Sequence, residues 1–275
     1  MGVYSNDTNN KKERKLGEPR IQYFTTTQAL TMFLVGLLGL NVFAYIVFYA
    51  LYAMFPTASD VDLNTYTNFI TYIILILILV YLSYSYNKQK FISNIESLKN
   101  KNVWFFILFG LILIYIAAIL ASQLETLIYE WAGIEIAIND NQSSINTMLT
   151  AHPILIIIMV TIFAPIVEEI AYRQGLFESV RFKSRVWAYV VTIIVFSLIH
   201  FDWLGSFYDT DTQTWGVNID TLITELIALP SYMGGAAVLS YVYDHENNVI
   251  SSMFVHGLYN LIGIVATLLL TANIN

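Results

Sequence analysis

Apolar residues run along this chain in long blocks rather than in alternation. Seven blocks, at about residues 28–55, 69–86, 103–122, 153–182, 186–204, 221–243 and 249–271, approach or exceed the roughly 20 residues needed to cross about 30 Å of hydrocarbon. An open sheet edge cannot satisfy its backbone in lipid, so the pattern predicts helices throughout. The fold class expected is all-α: a polytopic membrane protein with a bundle of about seven transmembrane helices. The first block is too long for a signal-peptide core and no small-residue cleavage pattern follows it, so it is expected to be retained.

The polar intervals divide the chain further. Residues 1–22 are charged and lack apolar periodicity, which predicts a flexible cytoplasmic tail. Residues 23–122 hold the first three spans. In the outer loop, 123–152, Leu124, Leu127, Ile128, Trp131 and Ile134 recur at helical spacing and predict an amphipathic helix capping the bundle. Residues 153–275 carry the last four spans and the candidate chemistry. Ser231, Gly235, Ala236 and Ser240 in the sixth span read as close helix packing.

Composition agrees: 57% of residues are hydrophobic, 12% are charged, and the mean hydropathy is positive. Lys11, Lys12, Arg14, Lys15 and Arg20 precede the first span; Lys88, Lys90, Lys99, Lys101, Arg181, Lys183 and Arg185 fill loops on the same side. The opposite loops carry acids instead. This asymmetry places the N-terminus in the cytoplasm and the C-terminus outside. The net charge of −7 is therefore a sum over two faces. Without Cys, disulfides, thiol catalysis and thiolate metal sites are excluded.

The segment PIVEEIAYR places Glu168, Glu169 and Arg173 inside the fourth span. A charge at the bilayer centre costs about 3 kcal/mol on insertion scales, so these groups must face the bundle interior or a watery cavity. Glu169 and Arg173, four apart, form a helical pair, and Glu168, about 100° around the helix, is left without it. The fifth span ends in VFSLIH, with Phe196 and His200 four apart, and the seventh contains FVHGLYN, with His256 and Asn260 four apart. At about 1.5 Å of rise per residue, Glu168, His200 and Asn260 each lie about 20 Å from the basic turns, with His256 one turn below Asn260. That common depth holds only if the fourth helix runs on to Arg181–Arg185. Either histidine alone can be a structural hydrogen-bonding group; the common depth of four polar groups favours function. Glu169, Arg173 and Phe196 read as orienting residues. His152, His245 and Glu225 are not expected to be catalytic.

A buried carboxylate suits a general base, so Glu168 with His200 can activate water, while His256 and Asn260 can hold an oxyanion. A metal reading stands beside this one: Glu168, His200 and His256 as zinc ligands with an open water position, although no HExxH helix is present. On the preferred reading no cofactor is required.

The motifs EExxxR (Glu168, Glu169, Arg173), FxxxH (Phe196, His200) and HxxxN (His256, Asn260), in this order on three spans, resemble those of the CPBP family, the CaaX prenyl endopeptidases and bacteriocin-processing or Abi proteins. The resemblance covers about residues 150–265. It implies a glutamate-type or metal-dependent intramembrane endopeptidase acting on a membrane-associated peptide or protein. Glu168 and His200 would activate water, and His256 with Asn260 would serve the oxyanion. Many relatives have Gly directly after the motif Arg, whereas Gln174 intervenes before Gly175 here. A bacterial plasma membrane is expected, with the lipid bilayer and the peptide substrate as partners and no nucleic acid. The competing readings are a non-catalytic immunity or scaffold protein of the same fold, and a transporter or proton relay, which would call for inverted repeats that the sequence lacks.

Overall fold

The computed structural model describes residues 22–209 and 213–272, so the expected tail lies outside the described residues except for its last position. The helices are α1 (Thr26–Met54), α2 (Asp60–Tyr86), α3 (Lys88–Glu96), α4 (Lys101–Ala132), α5 (Asp140–Ala151), α6 (Pro153–Arg181), α7 (Arg185–Leu198), α8 (Trp203–Phe207), α9 (Ile219–Glu246) and α10 (Val249–Ala272). Six of them, α1, α2, α4, α6, α9 and α10, are long and apolar enough to cross a membrane. The architecture is all-α and polytopic. Among the described residues, the extended structure is a two-residue antiparallel pairing of β1 (Tyr208–Asp209) with β2 (Thr214–Trp215).

Helix starts follow local chemistry. Thr25 closes a capping box with Gln28, and Ser59, Asn139, Ser184 and Asn218 each accept a first-turn N–H. Pro153 opens α6, where its missing N–H is not needed.

Two expectations are corrected. The amphipathic helix expected within 123–134 is not a separate element: no breaker interrupts the chain, and α4 continues to Ala132 until Gly133 ends it at φ 68°. The outer loop does hold a helix, α5, further on. The fifth block, read to 204, stops as a helix at Leu198. Asp202 caps a new helix by accepting from Gly205 N at 3.0 Å, and Trp203 Nε1 donates to the Leu198 carbonyl at 2.8 Å. At 14 residues, α7 reaches only about 21 Å, short of a membrane crossing, so among the described residues six helices long enough to span stand where about seven were expected.

The position of α6 organises the rest. Half of its most apolar window is buried, against 17–22% in the other long helices, so it is the helix the others surround. Met32, Leu75, Leu79, Val167 and Ile170 pack α1 and α2 onto it. Val103, Ile107, Leu239, Val242 and Val255 join α4, α9 and α10. Gly175 brings α6 against the α1 backbone: a Cβ there would meet Phe33 N at 2.8 Å. Leu38, Leu77, Phe105, Ile112 and Leu269 point outward, as a lipid-facing surface requires.

At the basic end a buried polar network ties the helices together. Arg181 pairs with Glu178 at 2.8 Å and donates from both Nη atoms to Asn247 Oδ1 at 3.1 Å, while Arg185 reaches Asp244 at 2.7 Å. Tyr243 donates to Glu178 at 2.9 Å, and Lys90 donates to the Asn247 carbonyl. Asn247 ends α9 in the left-handed region, φ 52°, a conformation Asn tolerates well.

Candidate active site

The four predicted catalytic residues line one cavity of about 1230 Å³ lying between α6 and the helices around it. Glu168 is 6% exposed, Glu169 and Arg173 are fully buried, and α6 does run on to Arg181, as the common depth requires. The closest charged contact of Glu168 comes from His256, whose Nε2 lies 3.8 Å from Oε2, rather than from His200. His256 Nδ1 sits 2.9 Å from Glu169 Oε1. Glu169 therefore holds Nδ1 in its protonated form and directs Nε2 towards Glu168. Arg173 Nη1 lies 3.2 Å from the same Glu169 oxygen, and its guanidinium rests 4.4 Å over the Phe196 ring. Glu169 is thus shared between Arg173 and His256, and Phe196 supports the arginine as well as the histidines.

His200 is held from three directions. Its Nδ1 lies 2.9 Å from the Phe196 carbonyl, its ring is 4.9 Å from that of Phe196, and Tyr232 stacks on it at 4.5 Å and 20°. The carbonyl engages Nδ1 as a donor, which leaves Nε2 as the basic nitrogen.

The position of Asn260 follows from Pro165. In the π-helical stretch Met159–Phe163, Ala164 N–H donates to Met159 O, so the Val160 carbonyl loses its α-helical donor. The next candidate donor, residue 165, is a proline and has no N–H. Asn260 Nδ2 fills the vacancy, donating to Val160 O at 2.9 Å, and its second N–H remains available. Gly257 permits the approach: a Cβ there would meet the Thr161 carbonyl oxygen at 2.5 Å. A second π-helical stretch, Glu169–Phe177, contains Gln174, and an i→i+5 turn takes up one residue more than an α turn. The residue separating Arg173 from Gly175 is absorbed there, with Gln174 accepting from Ser83 at 3.1 Å.

Sequence reasoning missed Tyr172 and Tyr232. Tyr172 lies one turn beyond Glu168, lines the cavity, is 1% exposed, and has a hydroxyl with no hydrogen-bond partner. The i,i+4 spacing from Glu168 was its signal. Tyr232 also joins His200 to α5, since its hydroxyl lies 3.1 Å from Asn141 Nδ2 and 3.3 Å from Asn139 Oδ1. His152 pairs with Asp62 at the acidic end at 2.7 Å, and His245 stacks on Phe106, so neither joins this cluster. Among the described residues, no group of three His, Asp or Glu side chains is placed to hold a metal ion. Glu168, His200 and His256 do not fit a three-ligand zinc centre in this arrangement, and no step is assigned to a metal.

At the acidic end, buried Glu225 fastens α5 and α8 to α9 by accepting from Asp140 N at 3.0 Å and from Asp202 N at 3.2 Å. Burial, then a hydrogen bond to the Asp202 carboxylate, then the charges of Asp202 and Glu225 push the Asp140 carboxyl up to about 6. A carboxyl whose pKa is raised on folding stabilises the fold while protonated and loses that contribution as pH rises from about 4 through 6. The melting temperature is therefore expected to fall across that window, and to fall less in Asp140→Asn. Parallel melting curves for the two proteins between pH 4 and 8 would contradict this.

Residues 150–262, which include every one of these catalytic candidates, match the family described as Type II CAAX prenyl endopeptidase Rce1-like. Over this segment the chain is similar to that family. The expected resemblance to the CPBP family is met over these residues by that match, which covers less than half of the chain. The chain is also similar to the UPF0177 protein YvdC of Lactococcus lactis subsp. lactis (strain IL1403), at 27% identity over 164 residues, 60% of this chain and 53% of that protein. The chain thus spans about half the length of the curated relative it matches. No solved structure matches.

Proposed function

We propose that this protein is an intramembrane endopeptidase that hydrolyses a peptide bond in a membrane-associated peptide or protein. The observation that carries this reading is the convergence of Glu168, His200, His256 and Asn260 on one large cavity within the Rce1-like segment. In the proposed mechanism, Glu168 takes a proton from water, assisted by Nε2 of His200, and the hydroxide adds to the scissile carbonyl. The resulting oxyanion accepts from the free N–H of Asn260 and from Nε2–H of His256 in its imidazolium form, with Glu169 balancing that charge. Glu168 returns its proton to the leaving amine as the tetrahedral intermediate collapses.

Tyr172 enters the same scheme as a donor to substrate, because its buried hydroxyl lacks a partner in the protein. Tyr172→Phe keeps the ring that packs edge-on to Phe33 and Phe196. Its expected effect is about a tenfold loss of cleavage at unchanged melting temperature, the scale of one hydrogen bond. Full activity in purified Tyr172→Phe would remove this role.

The positive-inside pattern supports a cytoplasmic N-terminus, and we assign the protein to a bacterial plasma membrane with the cavity towards the outer, acidic end. The test is cleavage of a library of membrane peptides, including lipidated ones, by the purified protein and by His200→Ala, with products read by mass spectrometry with and without chelator. Products that require His200 support the proposal; loss of wild-type cleavage on chelation would bring a metal into the mechanism. No products from folded protein across lipid and pH conditions would favour the scaffold reading.

A further inference from the structure

We propose that the cavity takes a peptide segment that is neutral or positively charged and carries no free carboxylate, with Glu125 reading the charge. As a statement of substrate class this rests on the endopeptidase reading above.

The ionisable side chains that line the cavity are Glu125, Glu168, His200 and His256, apart from tyrosine hydroxyls; among the described residues, no Lys or Arg does so. The described cations are elsewhere. Lys88, Lys90, Lys99, Lys101, Arg181, Lys183 and Arg185 cluster at the basic end, and Arg173 is buried with its charge matched by Glu169. Residues 210–212, outside the described residues, are Thr-Asp-Thr and include no Lys or Arg. A substrate carboxylate entering here would lose water and meet Glu125 and Glu168, while His256, cationic in the proposed mechanism, already faces Glu168 and Glu169, which selects against it.

The opposite charge has a partner waiting. Glu125 is half-buried in the wall, with Ser231 donating to its Oε1 at 2.6 Å and Oε2 as its second acceptor oxygen. A lysine or arginine side chain of the substrate can take that second oxygen. Around it the wall presents uncharged amides, Asn41, Asn68, Asn141, Gln142 and Asn146, which suit the hydrogen bonds of a peptide backbone whatever its side chains. The cavity is large enough for several residues of extended chain, so charge is read at one point of a longer contact.

The experiment uses the full chain in nanodiscs of zwitterionic phosphatidylcholine, so that the lipid does not sort the peptides by charge. Fluorescent peptides of one apolar sequence carry Lys, Gln or Glu at a central position and end in either an amide or a free carboxylate. Binding is read by anisotropy in His200→Gln, which consumes no peptide and retains both cavity carboxylates. The Lys amide is expected to bind at least about tenfold more tightly than the Glu amide, and each amide more tightly than its free acid. Adding Glu125→Gln should remove most of the Lys preference, and Glu125→Asp should keep it. Equal binding of the Lys and Glu peptides, no binding of any peptide, or a preference untouched by Glu125→Gln would overturn the proposal. Cleavage by the wild type is measured separately on the same peptides. Its absence alongside an intact Lys preference would overturn the endopeptidase reading and leave the charge selectivity standing.

Discussion

Glu168→Gln is expected to lower peptide cleavage by about 10²–10⁴-fold, the range associated with a positioned general base, while leaving the melting temperature unchanged or slightly raised. The replacement keeps size and hydrogen-bonding capacity but cannot accept a proton from water. Glu168 is not part of the Glu169–Arg173 pair; its charged neighbour within 4 Å is His256 at 3.8 Å. Removing its buried charge therefore strands no cation, and the fold should not suffer. Both readouts are needed, because an inactive variant that also melts early would report damage rather than chemistry.

The second large effect is on stability. Arg173→Met is expected to destabilise the protein by about 3–5 kcal/mol, the usual consequence of breaking a buried pair from one side. The guanidinium is fully buried, 3.2 Å from Glu169 and 4.4 Å over Phe196, so its loss leaves a carboxylate with His256 as its remaining charged contact. Glu169→Gln combined with Arg173→Met should recover much of that loss, since the double variant leaves no unpaired charge. Unfolding monitored in detergent would check this. Equal stability of Arg173→Met and wild type would mean that the pair is not what orders this part of α6.

Much of the site was legible because charge is expensive in hydrocarbon. Glu168, Glu169, Arg173, His200, His256 and Asn260 stand out in apolar blocks, and counting rise per residue from the basic turns already brings four of them to one level. What the spacing could not convey is pairing across helices. Glu169 matches Arg173 on its own helix, yet its contact with His256 comes from α10, a neighbour whose rotation no periodicity specifies. The anchor of Asn260 depends on a missing N–H at Pro165 and on a π turn, and helical spacing assumes uniform α-helix.

Element boundaries were read less well than element identities. Apolar residues continue from α4 into the outer segment, and an amphipathic tail looks the same whether it lies on the membrane or prolongs a span; Gly133 decides the matter. The fifth block was read through to 204 because hydropathy does not register the Asp202 cap that starts a new helix. Tyr232 escaped notice because tyrosine is common here and its value lies in what it touches: His200 on one side and the start of α5 on the other.

The most direct measurement is the single-turnover rate of one identified peptide with wild-type protein and with Glu168→Gln, prepared together and shown by melting to be equally folded. The account predicts a rate at least about 100-fold lower in the variant, with the peptide still bound. Comparable rates in the two proteins would contradict the assignment of Glu168 as the base that activates water.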